Sequence, residues 1–249
     1  MTLSPDEKYA AYREILASPR DEEVDWWYFG TTSVKIKGIP AISVINAATL
    51  MIYRTETLSD HAFAIHWDEV GYFSDYVTGQ PTTHWLNPVT GRAMPAPQSF
   101  AEGPARYEVL RTPQGVAVTL TQPGATVNSI EVEWSCVGDR ITVMQRERKT
   151  RGFPNIDGTL PDPGSASGFE AVTELAFVDQ WPESGNEAQG LYEFALAGAP
   201  PWMGFDAASK ARATVQGVII KAPSDRPPHP ESMRRLRDRF PEFFARHGR

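Results

Sequence analysis

HAFAIHWDEVGYFSDYVTGQPTTHWLNPVTGR, residues 61–92, is the stretch on which the fold is read. It holds three of the chain's five histidines, two tryptophans and three carboxylates. It also holds two turn signals twelve residues apart, DYVTGQ at 75–80 and NPVTGR at 87–92. In each, a short Asp or Asn side chain can accept hydrogen bonds from the backbone just after it, and the following Thr-Gly supplies a residue free to turn left-handed. The pattern predicts two stacked hairpins whose strands carry aromatic and imidazole side chains on facing surfaces, as the wall of a cavity is built.

Working outward, the segments VDWWYFGTTSVKIKG, ISVINAATLMIYRTE, HAFAIHWDEVGYF, TTHWL, ARYEVLRT, GVAVTLTQ, NSIEVEWSCVG and DRITVMQRERK read as strands separated by Gly, Pro, Asn and Asp. In SIEVEWSC, Ile130, Val132, Trp134 and Cys136 alternate with Ser129, Glu131, Glu133 and Ser135, the period of a strand with two unlike faces. FEAVTELAFVDQW and ATVQGVIIKAP read as further strands. The remainder of residues 151–204 is rich in Gly and Pro and predicts long loops, read as a lid or as plain surface loops. Ser4-Pro5-Asp6-Glu7 has the form of a capping box with Pro in the first turn, so a helix is expected within residues 1–20. At 230–247, Met233, Leu236, Phe240, Phe243 and Phe244 recur at helical spacing, which predicts a helix docked on the body. The expectation is one domain, 1–249, mainly β: an antiparallel, lipocalin-like barrel at 24–222 with capping loops and short terminal helices.

The 249 residues carry a net charge of −7, which opposes long-range attraction to nucleic acid or anionic membranes. No run of apolar residues is long enough for a membrane-spanning helix. The N-terminus lacks the basic-then-apolar order of a secretion signal and the single Cys136 cannot form an internal disulfide, which predicts a cytoplasmic protein. The oligomeric state is not set by the sequence, and a homodimer stays open.

GxGxxG, GxxxxGK[ST], CxxC and GxSxG are all missing from the chain. His61 and His66 are five apart in a strand and so face opposite ways, a poor pair of metal ligands. A site from His66 and His84 with Asp68, Glu69 or Asp75 is the weaker reading, and neither a metal nor another cofactor is expected. The aromatic and ionisable side chains are instead of the kind that line small-molecule pockets. Trp27, Trp67, Trp85, His84, Tyr107, Glu133, Trp181 and Trp202 are the candidate binding residues. His66 or Asp68 is the candidate base, Tyr53 or Tyr72 the proton donor, and Arg54 or Arg148 the electrostatic partner.

WWYFGTTSVKI (26–36), TLMIYRTE (49–56), the D-x-x-TG and W-x-NP-x-TG of residues 75–91, PPWMGF (200–205) and GVIIKAPSDRPPHPESMRRLRDRFPEF (217–243) resemble the bacterial family catalogued as domain of unknown function 1838. DWWYF at 25–29 is similar to the EWWYF opening of the lipocalin-like hydroxyneurosporene-synthase family. Both resemblances imply a β-barrel with a ligand cavity. The first implies a setting of aromatic, lignin-derived compounds and a cofactor-free lyase that releases formaldehyde from a phenolic dimer. The second implies a hydratase or isomerase on an isoprenoid- or polyketide-like compound. A non-catalytic carrier or sensor is the third reading. It requires a pocket with no carboxylate or His in reach of its ligand.

Overall fold

The computed structural model describes residues 2–138, 140–152, 155–157, 159, 168–179, 188–205 and 209–249. The chain opens with helix α1 (Pro5–Leu16). Its predicted capping box is formed: the Ser4 hydroxyl accepts from the Glu7 backbone N–H and the Glu7 carboxylate accepts from that of Ser4. Ten strands then make one antiparallel sheet: β1 (Glu23–Ile36), β2 (Ile39–Ser59), β3 (Ala62–Asp75), β6 (Ser99–Thr112), β7 (Gly115–Thr121), β8 (Ala125–Val137), β9 (Arg140–Gly152), β10 (Gly168–Asp179), β11 (Gln189–Leu196) and β12 (Arg212–Ala222). Their order is β7-β6-β3-β2-β1-β12-β11-β10-β9-β8, so the first and last strands to form the ring, β7 and β8, are neighbours in sequence. They approach one another without a shared ladder, and the sheet is a nearly closed, lipocalin-like barrel.

Alternation sorts the strand residues into an inner and an outer layer. On β1, Trp26 points into the barrel and Trp27 outward, both fully buried. The outer position is buried because α2 (Pro230–Arg239) and α3 (Pro241–Arg246) lie across β1, β2 and β3. There Met233, Leu236, Phe243 and Phe244 pack on Trp27, Leu50, Ile52 and Val70. Each such side chain contributes about 1.5–3 kcal/mol when fully buried, so the C-terminal segment is an integral layer. The apolar residues expected to dock do so, but the single helix expected over 230–247 is two, broken at Phe240 ahead of Pro241.

Helix α1 closes one end of the barrel. Trp26 Nε1 donates to the carbonyl of Leu16 at 2.9 Å, and Lys221 Nζ donates to those of Glu14 and Ala17 at 2.6 and 2.7 Å. These donors satisfy carbonyls that the last helical turn leaves open. The other end is capped by the hairpin β4 (His84–Asn87) and β5 (Arg92–Pro95) together with a 3₁₀ turn at Pro201–Met203. The two turn signals fold alike. Asp75 Oδ1 accepts from the backbone N–H groups of Val77 and Thr78, Asn87 Oδ1 accepts from those of Val89 and Thr90, and Gly79 and Gly91 have φ of +67° and +68°. The first turn is followed by a single bridge, Ser74 to Pro81, and only the second joins a true hairpin. One expectation is corrected: within 151–204, read as loop apart from one strand, β11 is a full barrel strand between β10 and β12.

Candidate active site

Alternation on β9 turns Gln145, Glu147, Lys149 and Arg151 inward and leaves Arg146 and Arg148 outside. Tyr107 on β6, Tyr53 on β2, Tyr28 on β1 and Trp67 and Glu69 on β3 face the same space. With Glu147, Lys149 and Arg151 they line a cavity of about 150 Å³. Its other walls are apolar, with Phe73, Phe100, Leu175, Phe194 and Val215. A cavity of roughly this volume holds a single benzene ring.

The polar groups form a connected chain rising from the α1 end. The Tyr12 hydroxyl donates to Gln145 Oε1. Gln145 Nε2 and the Tyr107 hydroxyl both donate to Glu147 Oε1 at 2.7 Å, and Lys149 Nζ donates to Glu147 Oε2 at 3.0 Å. Lys149 also donates to Gln122 Oε1, Gln122 donates to Glu102, and Arg151 donates to Glu102 at 2.7 Å. The Arg151 guanidinium lies 5.3 Å from the centre of the Phe194 ring. Burial works against charge on Glu147, yet Lys149 and the donors from Tyr107 and Gln145 hold its carboxyl below the ordinary value.

Glu69 is different. Among the described residues it makes no side-chain hydrogen bond, and its remaining accessible surface faces the cavity. Burial and the nearby charge of Glu102 push its pKa up to about 8, against the opposing pull of Arg151 and Lys149. At neutral pH it is a carboxylic acid, able to give a proton or, once ionised, to take one. Tyr28 and Tyr53 interact with each other, and burial raises the pKa of both hydroxyls, so they remain protonated. Among the described residues, Trp67 Nε1, Thr32 Oγ1 and Thr173 Oγ1, all on lining residues, have no hydrogen-bond partner.

The structure brings Tyr53, Trp67 and Tyr107 to this cavity from among the sequence candidates. It does not bring His66, Asp68 and Tyr72 there, because the inward parity of β3 belongs to Phe63, Ile65, Trp67 and Glu69. His66 lies outside, 2.8 Å from Glu56. Asp68 lies 3.4 Å from His247, and Tyr72 is hydrogen-bonded to Ser232 of α2. Arg54, Arg148 and Glu133 are exposed on the outer face. Trp27 is under the C-terminal helices. Trp85 and Trp202 belong to the cap, where Trp85 packs against Phe205 with ring centres 5.9 Å apart. His84 is exposed beside Thr83, and Trp181 lies outside the described residues. The single pocket expected to unite His66, Asp68, Tyr72 and Trp85 with Arg54 or Arg148 is therefore replaced by the barrel interior.

Glu69 entered the sequence reading only as a carboxylate near His66, and Glu102, Lys149 and Arg151 did not enter it. Their signal was there in QRERKTR: Glu147 and Lys149 have the same parity and opposite charge, as side chains sharing a buried face require. Among the described residues no group of three His, Cys, Asp or Glu side chains is arranged to hold a metal ion, and no helix is long and apolar enough to cross a membrane. No protein-family model, curated protein or solved structure matches this chain, so the resemblances above rest on the motifs quoted for them.

Proposed function

We propose that the protein is a cofactor-independent enzyme that performs acid–base chemistry, of the carbon–carbon lyase kind, on a small aromatic molecule enclosed in the barrel. The observation that carries this reading is Glu69: a carboxyl group with no hydrogen-bond partner among the described residues, its pKa raised by burial and by Glu102, on the wall of an aromatic-lined cavity. A carrier needs no such group, and a hydrophobic isoprenoid pocket has no use for the buried chain from Tyr12 to Arg151. In a formaldehyde-releasing step, a base takes the proton of a hydroxymethyl group. The carbon–carbon bond then breaks, its electron pair staying with the ring-bearing carbon; formaldehyde leaves, and that carbon takes up a proton in place of the lost group, so the proton count is restored. Ionised Glu69 is placed for the proton, with the Tyr28–Tyr53 pair as donor to the developing anion and Arg151 and Lys149 as its electrostatic support. The cavity volume favours a single-ring substrate over a phenolic dimer.

The test is a panel of single-ring hydroxymethyl-arenes and phenols, with products separated by chromatography and formaldehyde trapped. Glu69→Gln should abolish turnover while the folded protein still binds the same compounds. Wild-type rates in Glu69→Gln would refute the reading.

A further inference from the structure

We infer that the barrel interior selects a cation: a single-ring amine whose ammonium group lies against the Glu69 carboxylate, among the surrounding aromatic rings. The inference rests on the barrel interior being the reaction site and adds the charge of the molecule it takes. The ionisable lining carries three carboxyl groups, Glu69, Glu102 and Glu147, and two cations, Lys149 and Arg151. Both cations already have carboxylate partners, Lys149 on Glu147 at 3.0 Å and Arg151 on Glu102 at 2.7 Å. An anionic ligand would meet two engaged cations and a third carboxyl group. A neutral ring would leave that carboxyl without a strong partner. An ammonium group completes the third ion pair, and a buried charge is tolerated when it is paired.

The groups facing Glu69 fit this occupant. They are Glu102 from β6, Glu147, Lys149 and Arg151 from β9, and the Tyr28, Tyr53 and Tyr192 hydroxyl-bearing rings from β1, β2 and β11. Tyrosine and tryptophan faces attract cations, and Trp67 adds a fully enclosed indole beside Glu69 on the same strand face. Gly30, whose added Cβ would meet the Tyr192 hydroxyl at 2.0 Å, lets that ring reach across the wall. Binding has a chemical consequence. In the free protein Glu69 holds a proton below about pH 8. When an ammonium group binds, that proton leaves to solvent and a carboxylate remains, so the ligand's own charge turns the resident acid into the base.

The experiment compares benzylamine, benzyl alcohol and benzoate, one ring with three charges, by titration calorimetry at pH 7 in phosphate and in Tris. Benzylamine should bind at least about tenfold more tightly than benzyl alcohol, as a buried ion pair implies, and benzoate more weakly than either. The two buffers should report release of close to one proton for benzylamine and none for benzyl alcohol. Glu69→Gln should weaken benzylamine at least about tenfold and leave benzyl alcohol within about twofold. If benzoate or benzyl alcohol binds as well as benzylamine, or if Glu69→Gln leaves benzylamine binding unchanged, the cation inference fails and the site stands. If none of the three binds, both fail.

Discussion

Replacing Glu147 by Gln probes the buried polar chain at its most connected point. The side chain is fully buried and accepts from Tyr107, Gln145 and Lys149. An amide keeps the acceptor for Tyr107 and Gln145 but turns an N–H toward Lys149 Nζ, itself 5% exposed and left with Gln122 alone. Breaking a buried pair by neutralising one partner costs about 3–5 kcal/mol. In a chain of this size that is a fall in Tm of about 6–20 °C. Urea unfolding followed by tryptophan fluorescence gives the free energy directly. Glu147→Gln/Lys149→Met removes both charges and should recover most of the loss, since an apolar replacement of both partners is close to neutral. The pH dependence follows from the same contacts. The carboxyl of Glu147 is held below its ordinary value, so its contribution is present above the unfolded-state pKa and is lost as pH falls through the folded one. The variant should therefore show a flatter acid limb. A single-variant loss below about 1 kcal/mol, the range of exposed pairs, would mean that Lys149 and Glu147 are solvated and the barrel interior is not as described.

Glu69→Gln should act in the opposite sense: a folded pKa of about 8 lies above the unfolded value, so the wild type is penalised increasingly as pH rises between the two. The variant should melt higher than wild type at pH 9 and equally at pH 4. Gly71→Ala would place a Cβ 2.5 Å from the Phe100 ring and 2.9 Å from Thr49 Oγ1, pushing that ring into the cavity. It should destabilise by about 1–3 kcal/mol and abolish benzyl alcohol binding by calorimetry. Leu236→Ala should cost about 2–5 kcal/mol in urea unfolding, because its side chain is wholly buried against the outer face of the sheet. His66→Ala and Arg148→Ala, on the outer face, should leave ligand affinity unchanged.

The turns, the capping box and the C-terminal apolar stripe were legible in the sequence because each is a local signal with a local cause. Asp75 and Asn87 close their turns on their own neighbouring backbone, and Ser4 caps with a residue three positions on. The facing of β3 was not legible. On its inner side Phe63, Ile65 and Trp67 are buried in the barrel, and on its outer side Val70 and Tyr72 are covered by the C-terminal helices. A strand buried on both faces loses its period of two, so His66 and Asp68 read as plausibly inward as Glu69. Strand β11 was missed because QGLYEFAL follows the polar run PESGNEA and precedes AGAPP, whose turn residues mask a strand of only eight residues. The cavity charges were hidden for a further reason: on β9 both faces are charged, and only pairing with Gln122, Glu102 and Tyr107 from distant parts of the chain distinguishes the inner set.

The central claim is that the barrel interior holds a poised acid at Glu69. Carbon-13 NMR titration of the glutamate side-chain carboxyl carbons measures it, with the Glu69 resonance assigned by its loss in Glu69→Gln. A resonance titrating at about pH 8 is the predicted result. A Glu69 resonance titrating at about 4–5, in the ordinary carboxylate range, would contradict the account.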